Sequence, residues 1–309
     1  MTKLSALFSR HKDKKFILVE PGGNWGDYLI YMGAQQLCDN LDIRWVKKTK
    51  AEFLSYQSCV DEVLYINGGG MFNTWCSNSG FACLQHAVTT HKGVVIVGPS
   101  TSSDEEAELE RLFTTSLEDV ICAELFVYAR EDVTFEMFNK LNPIVSTATI
   151  LQDHDTALHL TANDIIKRVG HLKERYELFV YRNDNESPLS ANNHRFGHVV
   201  IDPAQYCISF EHWLRVHCYA RSVISNRTHS VILSSILGKR TTMFDGAYHK
   251  NKSIWLYSLK ERGVKWISAE KAYEVIPDTN RLLSLLPSQV LGSYKLNKLM
   301  FSIKGLPSN

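Results

Sequence analysis

Along most of the chain, short apolar runs alternate with longer stretches of helical periodicity. Phe16-Ile17-Leu18-Val19 runs into Pro21-Gly22-Gly23, and Leu29 to Leu41 then has the pattern of a helix. Val63-Leu64-Tyr65-Ile66 runs into Gly68-Gly69-Gly70, with a predicted helix from Phe81 to Thr90. Val94-Val95-Ile96-Val97 ends at Gly98-Pro99, before a charged helix over Asp104 to Leu112. Phe126-Val127-Tyr128 leads to Arg130 and a helix from Val133 to Leu141. After a polar break between Thr161 and Tyr176 the rhythm resumes. Strands are predicted at Leu178–Tyr181, His198–Ile201, Val223–Ser225, Thr241–Phe244 and Val264–Ile267, with helices at Phe210–Ala220 and Ser230–Leu237. Such alternation predicts parallel sheets flanked by helices, an α/β fold in two halves. The halves are placed at residues 1–165 and 166–309.

The length of 309 residues fits two domains, and a hydrophobic content of 44% suffices for their cores. Lys and Arg number 34 against 33 Asp and Glu, a balance that argues against a dedicated nucleic-acid binder. The seven cysteines form no Cys-x-x-Cys pair and have no zinc-ligand spacing, so free thiols in a reducing cytoplasm are expected. No apolar run approaches the ~18 residues of a membrane span, and Met1 to Lys15 lacks the apolar core of a secretory signal. Val290 to Ile303 alternates apolar residues with Lys295 and Lys298. It is read as an amphipathic helix packing back across the domains, with peripheral contact at an anionic membrane face as the weaker alternative.

In open α/β sheets, ligands bind beyond the carboxyl ends of the strands, so the loops after the strands carry the candidate chemistry. Gly22-Gly23-Asn24-Trp25-Gly26-Asp27 offers an amide and a carboxylate where a helix begins, and Asp27 is read evenly as helix cap or catalytic group. Asn67-Gly68-Gly69-Gly70-Met71-Phe72-Asn73 allows close backbone approach to a ligand, but has neither P-loop nor dinucleotide-fingerprint spacing. Arg130 stands at a strand end, suited to a carboxylate or phosphate. Ser225-Asn226-Arg227-Thr228-His229-Ser230 is the most specific loop. It joins a strand to a helix N-terminus and adds a cation, a capping hydroxyl at Thr228 and an imidazole. Gln152-Asp153-His154-Asp155 is too compact for its residues to face one ion, so no metal is expected.

In order, these loops resemble the polysaccharide pyruvyl transferase family. The matching stretches are Gly23 to Leu37, Ile66 to Phe72, Val97 to Ser103, Tyr128 to Phe138, Asp155 to Leu160 and Ile224 to Asp245, trailed by Tyr248 and Lys250. The resemblance implies two Rossmann-like domains facing a cleft, similar to GT-B glycosyltransferases. It also implies transfer of pyruvate from phosphoenolpyruvate to a sugar, free or lipid-linked, as a ketal, with no cofactor beyond that co-substrate. On this reading His229 is the general acid and Asp27 a base. Arg130, Arg227, Thr228, Gly69 and Gly70 bind the donor, while Asn24, Asn73, Trp75 and Asp155 serve the acceptor. The family's Arg-Leu-His is Arg227-Thr228-His229 here, and its glutamine-containing loop is Gly98-Pro99-Ser100. Because Arg227 follows a short strand and faces a loop, its truncation is expected to abolish donor binding and spare the fold. The alternatives are a nucleotide-sugar glycosyltransferase of the same architecture and a catalytically silent sugar-binding relative.

Overall fold

The computed structural model describes residues 2–73, 79–182 and 202–274. Trp75, the strand predicted at His198–Ile201 and the helix predicted at Val290–Ile303 lie outside the described residues. The chain forms two compact units: Met1–Gly23 with Asp27–His159, and Asn24–Gly26 with the residues from Leu160 onward.

The first unit is built on strands β1 (Lys15–Glu20), β2 (Trp45–Thr49), β3 (Glu62–Ile66), β4 (Gly69–Phe72), β5 (Val94–Ser102), β6 (Glu124–Ala129) and β7 (Thr149–Gln152). They lie in the order β2-β1-β3-β5-β6-β7, with β4 against β5, and every pairing is parallel. Helices α1 (Lys3–Arg10), α2 (Trp25–Asn40), α3 (Lys50–Leu54), α4 (Ser79–Thr90), α5 (Glu106–Ser116), α6 (Asp132–Lys140) and α7 (Asn142–Val145) cover it. Side chains alternate between the faces of a strand, and the two cores follow that period. Phe16, Leu18, Val63 and Tyr65 pack with Leu4, Phe8, Ala34 and Leu37 of α1 and α2. Ile17, Val19, Leu64 and Ile66 pack on the other face with Phe53, Phe81, Leu84, Phe113 and Phe138 of α3 to α6. Burial on both faces is why these strands read as unbroken apolar runs.

The second unit contains α8 (Ala162–Val169), β8 (Tyr176–Val180), α9 (Pro203–Tyr206), α10 (Phe210–Cys218), β9 (Ala220–Ser225), α11 (Thr228–Ile236), β10 (Arg240–Met243), α12 (Lys250–Ile254), β11 (Lys265–Trp266) and α13 (Ala269–Glu274). Its sheet runs β8-β9-β10-β11, again parallel.

Several elements depart from the sequence pattern. β5 does not stop at Gly98-Pro99 but continues to Ser102, buried throughout. The register with β6 shifts between Val97 and Ser100, so Pro99, which has no N–H to give, sits where the ladder is already interrupted. The polar break at Thr161 to Tyr176 contains α8. Its Thr161–Asp164 capping box and buried Ile165 and Val169 stabilise a helix too short for periodicity to reveal. β2 was hidden by Lys47 and Lys48, which suit an edge strand. The chain passes to the second unit after His159, so α8 belongs wholly to that unit.

Candidate active site

In the first unit, β1 and β3 are neighbours whose chains leave in opposite directions across the sheet, which opens a crevice at their carboxyl ends. Asn67 ties the two ends together, since its backbone N and its Nδ2 both donate to the Val19 carbonyl, at 3.1 and 2.9 Å. Asn24, not Asp27, caps α2: its Oδ1 accepts from Gly26 N at 2.8 Å. Asp27 lies one step further in, in the first turn, where the helix dipole favours a carboxylate. Two glycines make room for it. A Cβ on Gly23 would lie 2.6 Å from Asp27 Cγ, and one on Gly69 would lie 3.2 Å from Asp27 Oδ1. Both glycines have positive φ, 132° and 124°, so the Asp27 carboxylate sits between the loops after β1 and β3 because neither carries a side chain there. Asn73 closes the glycine turn, its Nδ2 donating to the Gly70 carbonyl at 2.6 Å.

Arg130 leaves the end of β6 almost fully buried. Its Nε donates to Thr101 Oγ1 at 2.6 Å and its Nη1 to Asp155 Oδ2 at 2.7 Å. Asp155 Oδ1 also accepts from Ala157 N at 3.0 Å. The structure thus joins two candidate residues that the sequence reading had assigned to different substrates. Asp155 orients Arg130 and offsets its charge, so the pair presents a rigid, nearly neutral group. Asp153 turns elsewhere and accepts from Leu4 N of α1 at 2.6 Å.

In the second unit, the turn after β9 is held by Ser225 Oγ, which accepts from Arg227 N at 2.8 Å. Arg227 commits its Nε–Nη2 edge to Asp202, with Nε 3.0 Å from Oδ1 and Nη2 on Oδ2. Asp202 is fully buried and also caps α9. Thr228 is the first residue of α11, and its hydroxyl donates to Asn251 Oδ1 at 2.9 Å instead of capping the helix. Asn251 Nδ2 in turn donates to the carbonyls of Asn226 and Phe244, at 2.9 and 3.1 Å. The ends of β9 and β10 are therefore tied to the start of α12. Residues 24–26 pack in this unit: Trp25 Nε1 donates to the Cys207 carbonyl at 2.9 Å, and a Cβ on Gly26 would lie 2.7 Å from His229 Cβ.

Sequence reasoning had missed Asp202, Thr101 and Asn251. Asp202 precedes a proline and carries only a helix-cap signal, while Thr101 lies in what reads as a loop. Among the described residues, no three His, Cys, Asp or Glu side chains are grouped to hold a metal, and no helix is long and apolar enough to cross a membrane.

Sheets of parallel strands flanked by helices define an α/β protein with a Rossmann-like fold. A crystal structure of an uncharacterised protein from Klebsiella pneumoniae subsp. pneumoniae shares this fold, with a TM-score of 0.63 at 20% identity over 86% of this chain and 98% of the other. No curated protein matches the chain significantly. The chain belongs to the polysaccharide pyruvyl transferase family, whose model matches residues 24–248. That is a family of transferases.

Proposed function

We propose that this enzyme moves pyruvate from phosphoenolpyruvate to a sugar of a polysaccharide or its precursor, forming a ketal. The observation that supports it most is the β9–α11 turn. Arg227 is fixed there by a buried carboxylate two residues before His229, in a helix start that favours an anion. In the reaction the enol carbon loses its bond to the phosphate oxygen and gains bonds to two sugar oxygens. The methylene carbon takes one hydroxyl proton and becomes a methyl, and the second proton leaves with phosphate.

In this reading His229 protonates the methylene carbon, and Asp27 accepts a hydroxyl proton. Arg227 and the N-terminal turn of α11 bind phosphate or carboxylate, with Thr228 oriented by Asn251. Arg130, held by Asp155, adds directed hydrogen bonds, and Gly69 and Gly70 let the donor approach the backbone. Asn24, Asn73 and Trp75 serve the sugar. The GT-B-like arrangement, a cytoplasmic site of action and a lipid-linked acceptor belong to this proposal as well.

Incubation with phosphoenolpyruvate and a panel of sugars should release phosphate and yield a pyruvylated product, read by mass spectrometry. His229→Gln should still bind phosphoenolpyruvate but turn over about 10²–10⁴-fold more slowly. Release of nucleotide from a nucleotide sugar, with none of phosphate from phosphoenolpyruvate, would replace this reading with glycosyl transfer.

A further inference from the structure

The carboxyl ends of β4 and β5 bring Asn73, already assigned to the sugar, beside Ser103, a side chain with no role in that assignment. Phe72 pairs with Ser102, and Ser103 N donates to the Phe72 carbonyl at 2.9 Å. Asn73 and Ser103 therefore leave the sheet side by side. Both are fully buried, yet among the described residues neither Asn73 Oδ1 nor Ser103 Oγ meets a hydrogen-bond partner. The other hydroxyls of the same run are engaged. Ser100 donates to the Gly98 carbonyl, Thr101 accepts from Arg130, and Ser102 is directed to Thr134 Oγ1. Leaving a buried polar atom unpaired costs about 1–3 kcal/mol, so two of them on neighbouring strand ends call for a further partner.

The shape of that group follows from the two atoms. Asn73 is locked by its Nδ2 bond to Gly70, so its Oδ1 can only accept. Ser103 Oγ can donate. One hydroxyl that donates to Asn73 and accepts from Ser103 satisfies both and places the Ser103 proton, whereas an anion would repel Asn73 Oδ1 and an ammonium would leave the Ser103 proton without an acceptor. Phe72 makes the position rigid, packed edge-on against Phe81 and Phe138 with ring centroids 5.1 and 5.8 Å away. The same glycine turn places Gly69 against the Asp27 carboxylate.

We propose that Asn73 and Ser103 form a subsite for a neutral sugar hydroxyl, the partner of the one that Asp27 deprotonates. This rests on the pyruvyl-transfer reading, in which one sugar supplies two hydroxyls to a single ketal carbon. The pair then decides which diol the enzyme accepts.

The test uses the full-length protein and its Ser103→Ala and Asn73→Ala variants. The probes are the methyl glycosides of galactose, glucose and mannose, read by saturation-transfer NMR, with phosphoenolpyruvate binding measured separately by calorimetry. Wild type should bind at least one glycoside. Both variants should weaken it about five- to tenfold and leave phosphoenolpyruvate affinity within twofold. Ser103→Ala removes a single oxygen, so it remains decisive should Asn73→Ala fold poorly. Unchanged glycoside binding, or none in wild type, overturns the subsite. So does a lowered melting temperature with glycoside binding intact, which would make the bridging group a structural water. Failure of wild type to bind phosphoenolpyruvate would reject the pyruvyl reading, while glycoside binding lost on Ser103→Ala would still uphold the hydroxyl subsite.

Discussion

Arg227 has two roles that pull against each other. As a cation after a strand it suits an anionic donor, but its bond to the fully buried Asp202 makes it part of the fold. The expectation that truncating it spares stability is therefore corrected by the structure. Arg227→Ala would strand a buried carboxylate, and breaking such a pair costs about 3–5 kcal/mol. Urea denaturation should show that loss, and should show much of it recovered when Asp202→Leu is combined with Arg227→Met, because two apolar groups leave no charge behind. A midpoint for Arg227→Ala equal to wild type would show the pair to be structurally idle. Gly26 illustrates a different constraint. Any Cβ there collides with His229, so Gly26→Ala should displace the imidazole. Turnover is expected to fall at least tenfold and the melting temperature to fall with it, because the His229 Cβ cannot rotate out of the way; an unchanged rate would mean that the imidazole position is not critical.

Among the elements, α2 is placed by a close approach that no local signal announces. Gly33 faces the backbone of the turn at Thr156 to His159, and a Cβ there would lie 2.8 Å from Ala157 Cα and closer still to the Thr156 carbonyl. Backbone cannot step aside as a side chain can, so Gly33→Ala should destabilise by about 1–3 kcal/mol, read as a lower melting temperature. It should also disturb Arg130, because the same turn begins one residue after Asp155. A melting curve unchanged from wild type would contradict this packing. The central strands were legible in the sequence because burial on both faces makes them apolar without interruption. The edge strand β2 and the end of β5 were not: lysines and hydroxyls there pair through backbone that the side-chain pattern does not report.

Among the described residues, four histidines are held below their usual pKa, burial being the main cause at His11, His91, His159 and His217. His217 is the extreme case, brought down to about 4 from 6.5 inside the second unit, with Nδ1 donating to the Trp213 carbonyl at 2.8 Å. Between those two values the unfolded chain binds the proton and the folded chain does not. The contribution is therefore complete above about 6.5 and is lost as pH falls toward 4. From this residue alone, stability should drop by roughly 2 kcal/mol between pH 7 and pH 5. Urea midpoints at the two pH values should show the drop, and His217→Leu should make it smaller; an equal drop in the variant would assign the effect to other groups.

Hydrophobic patterning alone determined that the chain is α/β, and local chemistry marked four strand-end loops, three of which carry Asp27, Arg130, and Arg227 with His229. Both follow from short-range rules: strand burial makes apolar runs, and parallel topology puts the following loop at the ligand-binding end. Tertiary structure decided what those residues touch. It turned Asp155 toward Arg130 and brought Asp202 to Arg227, each across 25 positions of chain, and moved the cap of α2 from Asp27 to Asn24. Pairings at that separation depend on how strands are ordered in a sheet, and the order is set by the packing of whole faces, which no local stretch of sequence encodes.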